Sequence, residues 1–225
     1  YSAECQRDIE IVRQLGYTGK TMSVIPNSGG INLEEIPKNL LTPSQRKKIM
    51  IKGYTGFVGQ ALVALKACEL AAKHLREYEV VIYSASIKSR IRALKLRHVH
   101  KVRVTILKKR TPHHEMLKLF SEARVYIGIS LSDGISTSLL EAMATGCYPI
   151  QSDTSCANEW LTSNSSSIVS SGSIELISKA LESALCDDRL VDEISEINLK
   201  TIDNLASIQY VRTVALDFYT RILHD

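Results

Sequence analysis

Short apolar runs rich in β-branched residues alternate with longer stretches whose apolar positions recur every three or four residues, from about Lys47 to Val169. The short runs read as buried strands over Lys48 to Lys52, Glu79 to Ser84, Val102 to Leu107, Val125 to Ser130, Tyr148 to Ser152 and Ser167 to Ser170. The longer ones predict helices over Phe57 to Lys73, Lys88 to Val99, Pro112 to Glu122, Ile135 to Ala144 and Ala157 to Leu161. Repetition of this kind predicts a parallel sheet whose right-handed crossovers put helices on both faces, a Rossmann-like α/β domain.

The flanks differ in character. Arg7 to Leu15 predicts a short helix, Thr21 to Ile25 a strand, and Pro26-Asn27-Ser28-Gly29-Gly30 a turn. From Ser173 the pattern is helical: Ile174, Ile177, Leu181 and Leu185 share a face, and Leu190 to Leu205 and Tyr210 to Leu223 continue it. The chain thus divides into a linker and first-strand region over residues 1–40, an α/β domain over 41–186 and carboxyl-terminal helices over 187–225. Val211, Val214, Phe218 and Ile222 form an apolar stripe that packs either on this domain or on a further one.

Length and composition set bounds. A chain of 225 residues with 44% hydrophobic and 23% charged residues can bury a sizeable core, and it is not disordered, collagenous or coiled coil as a whole. No run approaches the roughly 20 apolar residues that span a bilayer, and the start at Tyr1 has no signal-peptide pattern. The reading is a fragment of a cytoplasmic protein. Cys5, Cys68, Cys147, Cys156 and Cys186 lack disulfide or zinc spacing, and the scattered histidines, including His113-His114 at a helix start, carry no expected metal or catalytic role. The net charge of +4 hides a basic block: no acidic residue lies between Glu79 and Glu115, where ten of the 28 Lys and Arg residues fall. It contains no nucleic-acid motif or interleaved aromatics. Its helix, Lys88 to Val99, reads as a solvated basic face or a contact for an anionic membrane surface.

The candidate chemistry lies at a strand-to-helix junction, Ser132-Asp133-Gly134-Ile135-Ser136-Thr137-Ser138-Leu139-Leu140-Glu141. In an open α/β sheet ligands sit at the carboxyl ends of strands. The amides expected to open the helix, at Ile135, Ser136, Thr137 and Ser138, form an anion site that fits a diphosphate. Asp133 stands beside it, and Glu141 lies two turns along, on a face suited to a pair of sugar hydroxyls. A second glycine-rich turn, Gly53-Tyr54-Thr55-Gly56-Phe57-Val58-Gly59, follows the first long strand and lets backbone approach a phosphate.

Asp133 to Glu141, followed by Glu-Ala-Met-Ala and Gly146, resembles the E-x7-E signature of retaining, nucleotide-sugar-dependent glycosyltransferases of the glycogen-synthase and sucrose-synthase type, which have the two-domain GT-B fold. Ile25-Pro26-Asn27 is similar to the family's loop after the interdomain linker, and the resemblance covers roughly Thr21 to Leu185. It implies a donor-binding, carboxyl-terminal half, with Asp133 on the transferred sugar and Glu141 on the ribose. Gly134 belongs to the anion loop, Glu159 lies near the donor, and Lys108 follows its strand where the family contacts nucleotide. Where the family has cations after Gly53 and near Gly59, this chain has Tyr54 and Val58, which leaves Lys52 as the nearest cation. The implied partners are a nucleotide-sugar donor and a glycan or lipid-linked acceptor reached through an amino-terminal domain; no metal or other cofactor is expected. The rival reading is a catalytically degenerate domain serving association, and a weaker third is a sugar-nucleotide epimerase.

Overall fold

The computed structural model describes residues 1–38, 41–154 and 156–224; the boundary expected at residue 40 lies outside them. Six strands form one parallel sheet: β1 (Lys48–Lys52), β4 (Glu79–Tyr83), β5 (Arg103–Ile106), β6 (Ala123–Gly128), β7 (Tyr148–Ser152) and β8 (Ser167–Val169). Their order is β5-β4-β1-β6-β7-β8. The chain builds outward from β1 in one direction to β5, then returns to the other side of β1 for β6. The carboxyl ends of β1 and β6 therefore flank the switch point where such sheets open a crevice.

Alternate residues of the central strands feed two cores. Ile49, Ile51, Val80, Ile82, Val125 and Ile127 point to one face, where they meet α2 (Ala61–Leu70), α3 (Ile87–Val99) and α7 (Ile174–Cys186). Met50, Val81, Tyr83 and Tyr126 point to the other, against α4 (His113–Ser121), α5 (Thr137–Ala144) and the end of α8 (Asp188–Leu205). Strands covered on both faces are continuous apolar runs, and each fully buried Ile or Leu contributes roughly 1.5–3 kcal/mol.

Three expectations change. The helix expected from Phe57 begins at Ala61, because residues 55–60 form a small antiparallel hairpin, β2 (Thr55–Gly56) with β3 (Gly59–Gln60). Gly56 turns it at φ 110°, a conformation that costs glycine little. Residues 21–25 are not a strand, although Met22 N and Ile25 N donate to Tyr1 O and Ala3 O. The helix expected from Ile135 starts at Thr137, since Ser136 before it has extended backbone (φ −69°, ψ 126°); the Ile135 side chain is buried.

The remaining helices are α1 (Gln6–Gln14), α6 (Ala157–Trp160) and α9 (Ile208–His224). Val211 and Phe218 of α9 are buried within this chain, while Ile222 is exposed. The chain on either side of α9's start clasps the early loop: Ile31 N donates to Ala206 O at 2.7 Å, and Ile208 N donates to Ile31 O at 2.9 Å. No helix among the described residues is long and apolar enough to cross a membrane.

Candidate ligand-binding crevice

The crevice is built by the loops that leave β1, β4, β5 and β6. Gly53 follows β1 directly. Its N–H donates to Tyr83 O at 2.8 Å, and its carbonyl accepts from Ser86 N and Ser89 Oγ. A Cβ at Gly53 would lie 2.6 Å from Tyr83 O and 2.7 Å from the Ala85 Cα. This glycine is required by the close approach of two backbones. Ser84, at the exit of β4, holds φ at 50°, left-handed strain of the kind found at ligand sites.

These loops enclose a cleft of about 230 Å³ lined by Tyr54, Tyr83, Ser84, Lys108, Lys109, Thr111, His113, Met116, Ser138 and Glu141. A second hollow of about 180 Å³, lined by Gly30, Ile31, Asn32 and Thr137 among others, shares His113 and Glu141 with the first. Those two side chains form the wall between them. His113 Nε2 lies 2.6 Å from Glu141 Oε1. Burial pushes the Glu141 carboxyl above its ordinary value of 4.5, and the hydrogen bond and charge of His113 pull it partway back.

Asp133 accepts from Lys52 Nζ at 2.6 Å, and the same ammonium sits 5.7 Å from the centre of the Tyr54 ring. The side chains of Lys52 and Asp133 are 12% and 25% exposed, so the pair is shielded without being dry. Thus Tyr54, Lys108, Ser138 and Glu141 line the cleft, whereas Lys52 and Asp133 line neither hollow and adjoin the cleft through the Tyr54 ring.

The anion loop is narrower than expected. Ser136 holds the N-cap position of α5 without a side-chain capping hydrogen bond, and the amides of Thr137 and Ser138 open the helix with its positive dipole end. The Ile135 amide is occupied internally: it donates to Glu4 Oε2 at 3.3 Å, while Glu4 Oε1 accepts from Asn27 N at 3.0 Å. Gly134 lets this carboxylate lie against the loop, because a Cβ there would collide with Glu4 Oε2. Beneath α5, burial pushes the phenols of Tyr83 and Tyr126 well above their ordinary range. Both stay protonated, and the two hydroxyls face each other and the Ser136 and Ser138 side chains.

Glu159 lies elsewhere. Its carboxylate accepts from Gln6 N at 2.6 Å and Arg7 N at 3.2 Å and so caps α1, and it lines neither hollow. Cys5, Asp8 and Cys156 bring three ligating atoms within 4.8 Å of one another, the one group among the described residues arranged as a metal could use it; none of the three lines either hollow. Sequence reasoning missed His113 and Glu4 in the crevice. No local spacing signals a partner 28 or 131 positions away; the one available cue was a polar side chain at the start of a helix that follows a strand end.

A family model described as glycosyl transferases group 1 matches residues 33–201. No curated protein matches the chain in a sequence search. Among solved structures, the C-terminal domain of a glycosyl transferase group 1 family protein from Francisella tularensis is similar, with TM-score 0.68 and 15% identity over 78% of this chain and 97% of that one. Sucrose-phosphate synthase from Thermosynechococcus elongatus is similar at TM-score 0.75 and 15% identity, over 99% of this chain and 58% of that one. A pneumococcal O-GlcNAc transferase, crystallised with UDP and GlcNAc, is similar at TM-score 0.75 and 17% identity, over 100% of this chain and 45% of that one. The chain spans about half the length of the latter two.

Proposed function

The chain belongs to the glycosyl transferases group 1 family, and from that premise we propose that it is the donor-binding domain of a retaining glycosyltransferase. The observation that carries this reading is the cleft that Ser138 at the α5 start and the His113–Glu141 pair line together, with the Lys52–Asp133 pair adjoining it behind Tyr54. Thr137 and Ser138 amides, the α5 dipole and Lys52 hold the diphosphate and take up its charge as the sugar departs. Glu141, oriented by His113, receives the ribose hydroxyls. Asp133 faces the transferred sugar, and Lys108 at the cleft rim approaches the nucleotide. These groups supply the positive potential without a metal ion. The acceptor, a glycan or a lipid-linked sugar, binds on a further domain, so this chain alone binds donor and transfers poorly.

Calorimetric titration with UDP, GDP and ADP sugars tests the proposal. A UDP sugar is the first to try, by likeness to the pneumococcal enzyme crystallised with UDP. Binding of at least one donor, weakened about tenfold or more by Glu141→Ala, is the expected result. Absence of binding to all three overturns it.

A further inference from the structure

The helix α3 carries three large apolar residues on the side turned away from the protein. Ser89, Ala93 and Leu96 face the core. With successive residues about 100° apart, Ile87, Ile91 and Leu94 fall within about 60° of one another on the opposite side, and His98 continues their line. Ile87 is 78% exposed, Ile91 64% and Leu94 42%. This inverts the usual pattern, in which the outermost line of a surface helix is charged.

Cations flank that line on both sides. Lys88 and Lys95 lie about 70–90° to one side and Arg90 and Arg97 about 70–90° to the other. Arg90 and Arg97 donate to the neutral carbonyls of Ala85 and Val104, which leaves their charge uncompensated by those contacts. The acidic residue against this helix is Glu69 of α2. It pairs with Arg92 on the inner flank and lies 3.7 Å from Lys95 Nζ and 3.9 Å from His100 Nε2. The loop after α3 and strand β5 add Lys101 and Arg103, with no acidic residue until Glu115. At the amino end of α3, Lys88 shares a groove with the β2–β3 hairpin, whose tip exposes Phe57 and Val58.

We propose that α3 is an interfacial helix that seats this domain on an anionic membrane surface, with Ile87, Ile91 and Leu94 entering the headgroup boundary and the flanking Lys and Arg side chains reaching lipid phosphates. An apolar line bordered by cations matches both layers of such a surface: acyl chains receive the isoleucines and leucine, and anionic headgroups receive the charges, whose aliphatic stems lie along the apolar line. A second protein would need acidic groups framing an apolar groove. A second copy of this chain offers only more positive charge at the same face, and so repels. The inference is independent of donor binding and stands whether or not the crevice takes a nucleotide sugar.

The test is co-sedimentation of the full chain with phosphatidylcholine vesicles and with vesicles containing about one-third phosphatidylglycerol, together with sedimentation of the lipid-free protein. Binding at least about tenfold stronger to the anionic vesicles is expected, weakened about tenfold both by Ile91→Ser with Leu94→Ser and, separately, by Lys88→Gln with Lys95→Gln. All four positions are exposed, and circular dichroism checks that each variant folds. An Ile91→Trp variant should show a blue-shifted emission on anionic vesicles only. Absence of vesicle binding overturns the proposal. Binding that the Ile91→Ser, Leu94→Ser variant retains in full reduces it to charge adhesion and also overturns it, as does a lipid-free dimer that this variant dissociates.

Discussion

Nε2 of His113 lies 2.6 Å from Oε1 of Glu141, joining the first residue of α4 to the middle of α5 across the wall between two hollows. The carboxylate is buried and the imidazole is largely exposed. A carboxylate in that position is costly to the fold unless something draws on its charge, and a ribose hydroxyl pair would.

Glu141 therefore has opposed effects on stability and on binding. Its folded-state carboxyl lies above 4.5, so the native protein holds this proton more tightly than the unfolded chain does. The stability it contributes is full below pH 4.5 and is lost as pH rises through the folded value. Glu141→Gln should leave the melting temperature at pH 7 equal to or above that of the parent, with the difference shrinking toward pH 4.5, while donor affinity falls about tenfold. Paired melting and calorimetry across pH check both directions, and a large destabilisation at pH 7 would contradict this account.

The Lys52–Asp133 pair separates two roles. Partly exposed ion pairs contribute on the order of 1 kcal/mol or less to stability, so neither Lys52→Met nor Asp133→Asn should lower the melting temperature by more than a few degrees. Lys52→Met should weaken binding of the free nucleoside diphosphate about tenfold and reduce its salt dependence. Asp133→Asn should spare or tighten binding of that diphosphate yet weaken the nucleotide sugar. Titrations of UDP and a UDP sugar against both variants distinguish these outcomes.

Two glycines of the site differ in what an added methyl group would meet. At Gly53 it meets the backbone of Tyr83 and Ala85, which cannot move independently, and Gly53→Ala should cost about 1–3 kcal/mol. At Gly134 it meets the mobile end of Glu4. Gly134→Ala should cost little stability but break the contact between Glu4 and the Ile135 amide, altering donor affinity. Denaturant titration ranks the two.

Arg124 is a buried cation far from the proposed chemistry. Its guanidinium donates to Ala184 O at 2.7 Å, to Ser44 O and to Asp188 Oδ1 at 2.7 Å. Arg124→Met should leave buried carbonyls without donors and cost roughly 1–3 kcal/mol, with donor affinity unchanged in protein that remains folded. Denaturant unfolding and calorimetry check the two halves of this statement.

What could be read from the chain follows from range. Strands β1, β4, β6 and β7 announce themselves as apolar runs because both faces of each are covered. The start of α5 is legible to within two residues because Asp133-Gly134 breaks the strand pattern locally. The β2–β3 hairpin escaped because Thr55 to Gln60 pairs over only two rungs, too short for alternation to register. Glu4 on Ile135, His113 on Glu141 and Lys52 on Asp133 are products of the sheet order, which places distant strand ends side by side. The apolar character of α3's outer line was present in the sequence, but which side faced outward was not.

Segment 24–36 is fastened by hydrogen bonds from residues some 175 positions later, at Ala206 and Ile208, and Gly30 lies so close to Ile208 that no larger residue fits there. That segment also walls the hollow beside His113 and Glu141. The clasp works as a latch: its keeper is the junction of α8 and α9, and its panel is one side of the crevice. Truncation after Leu205 would remove both keeper residues, Ala206 and Ile208, without removing a residue that lines the crevice, so the integrity of the site depends on a part of the chain that contributes no group to it.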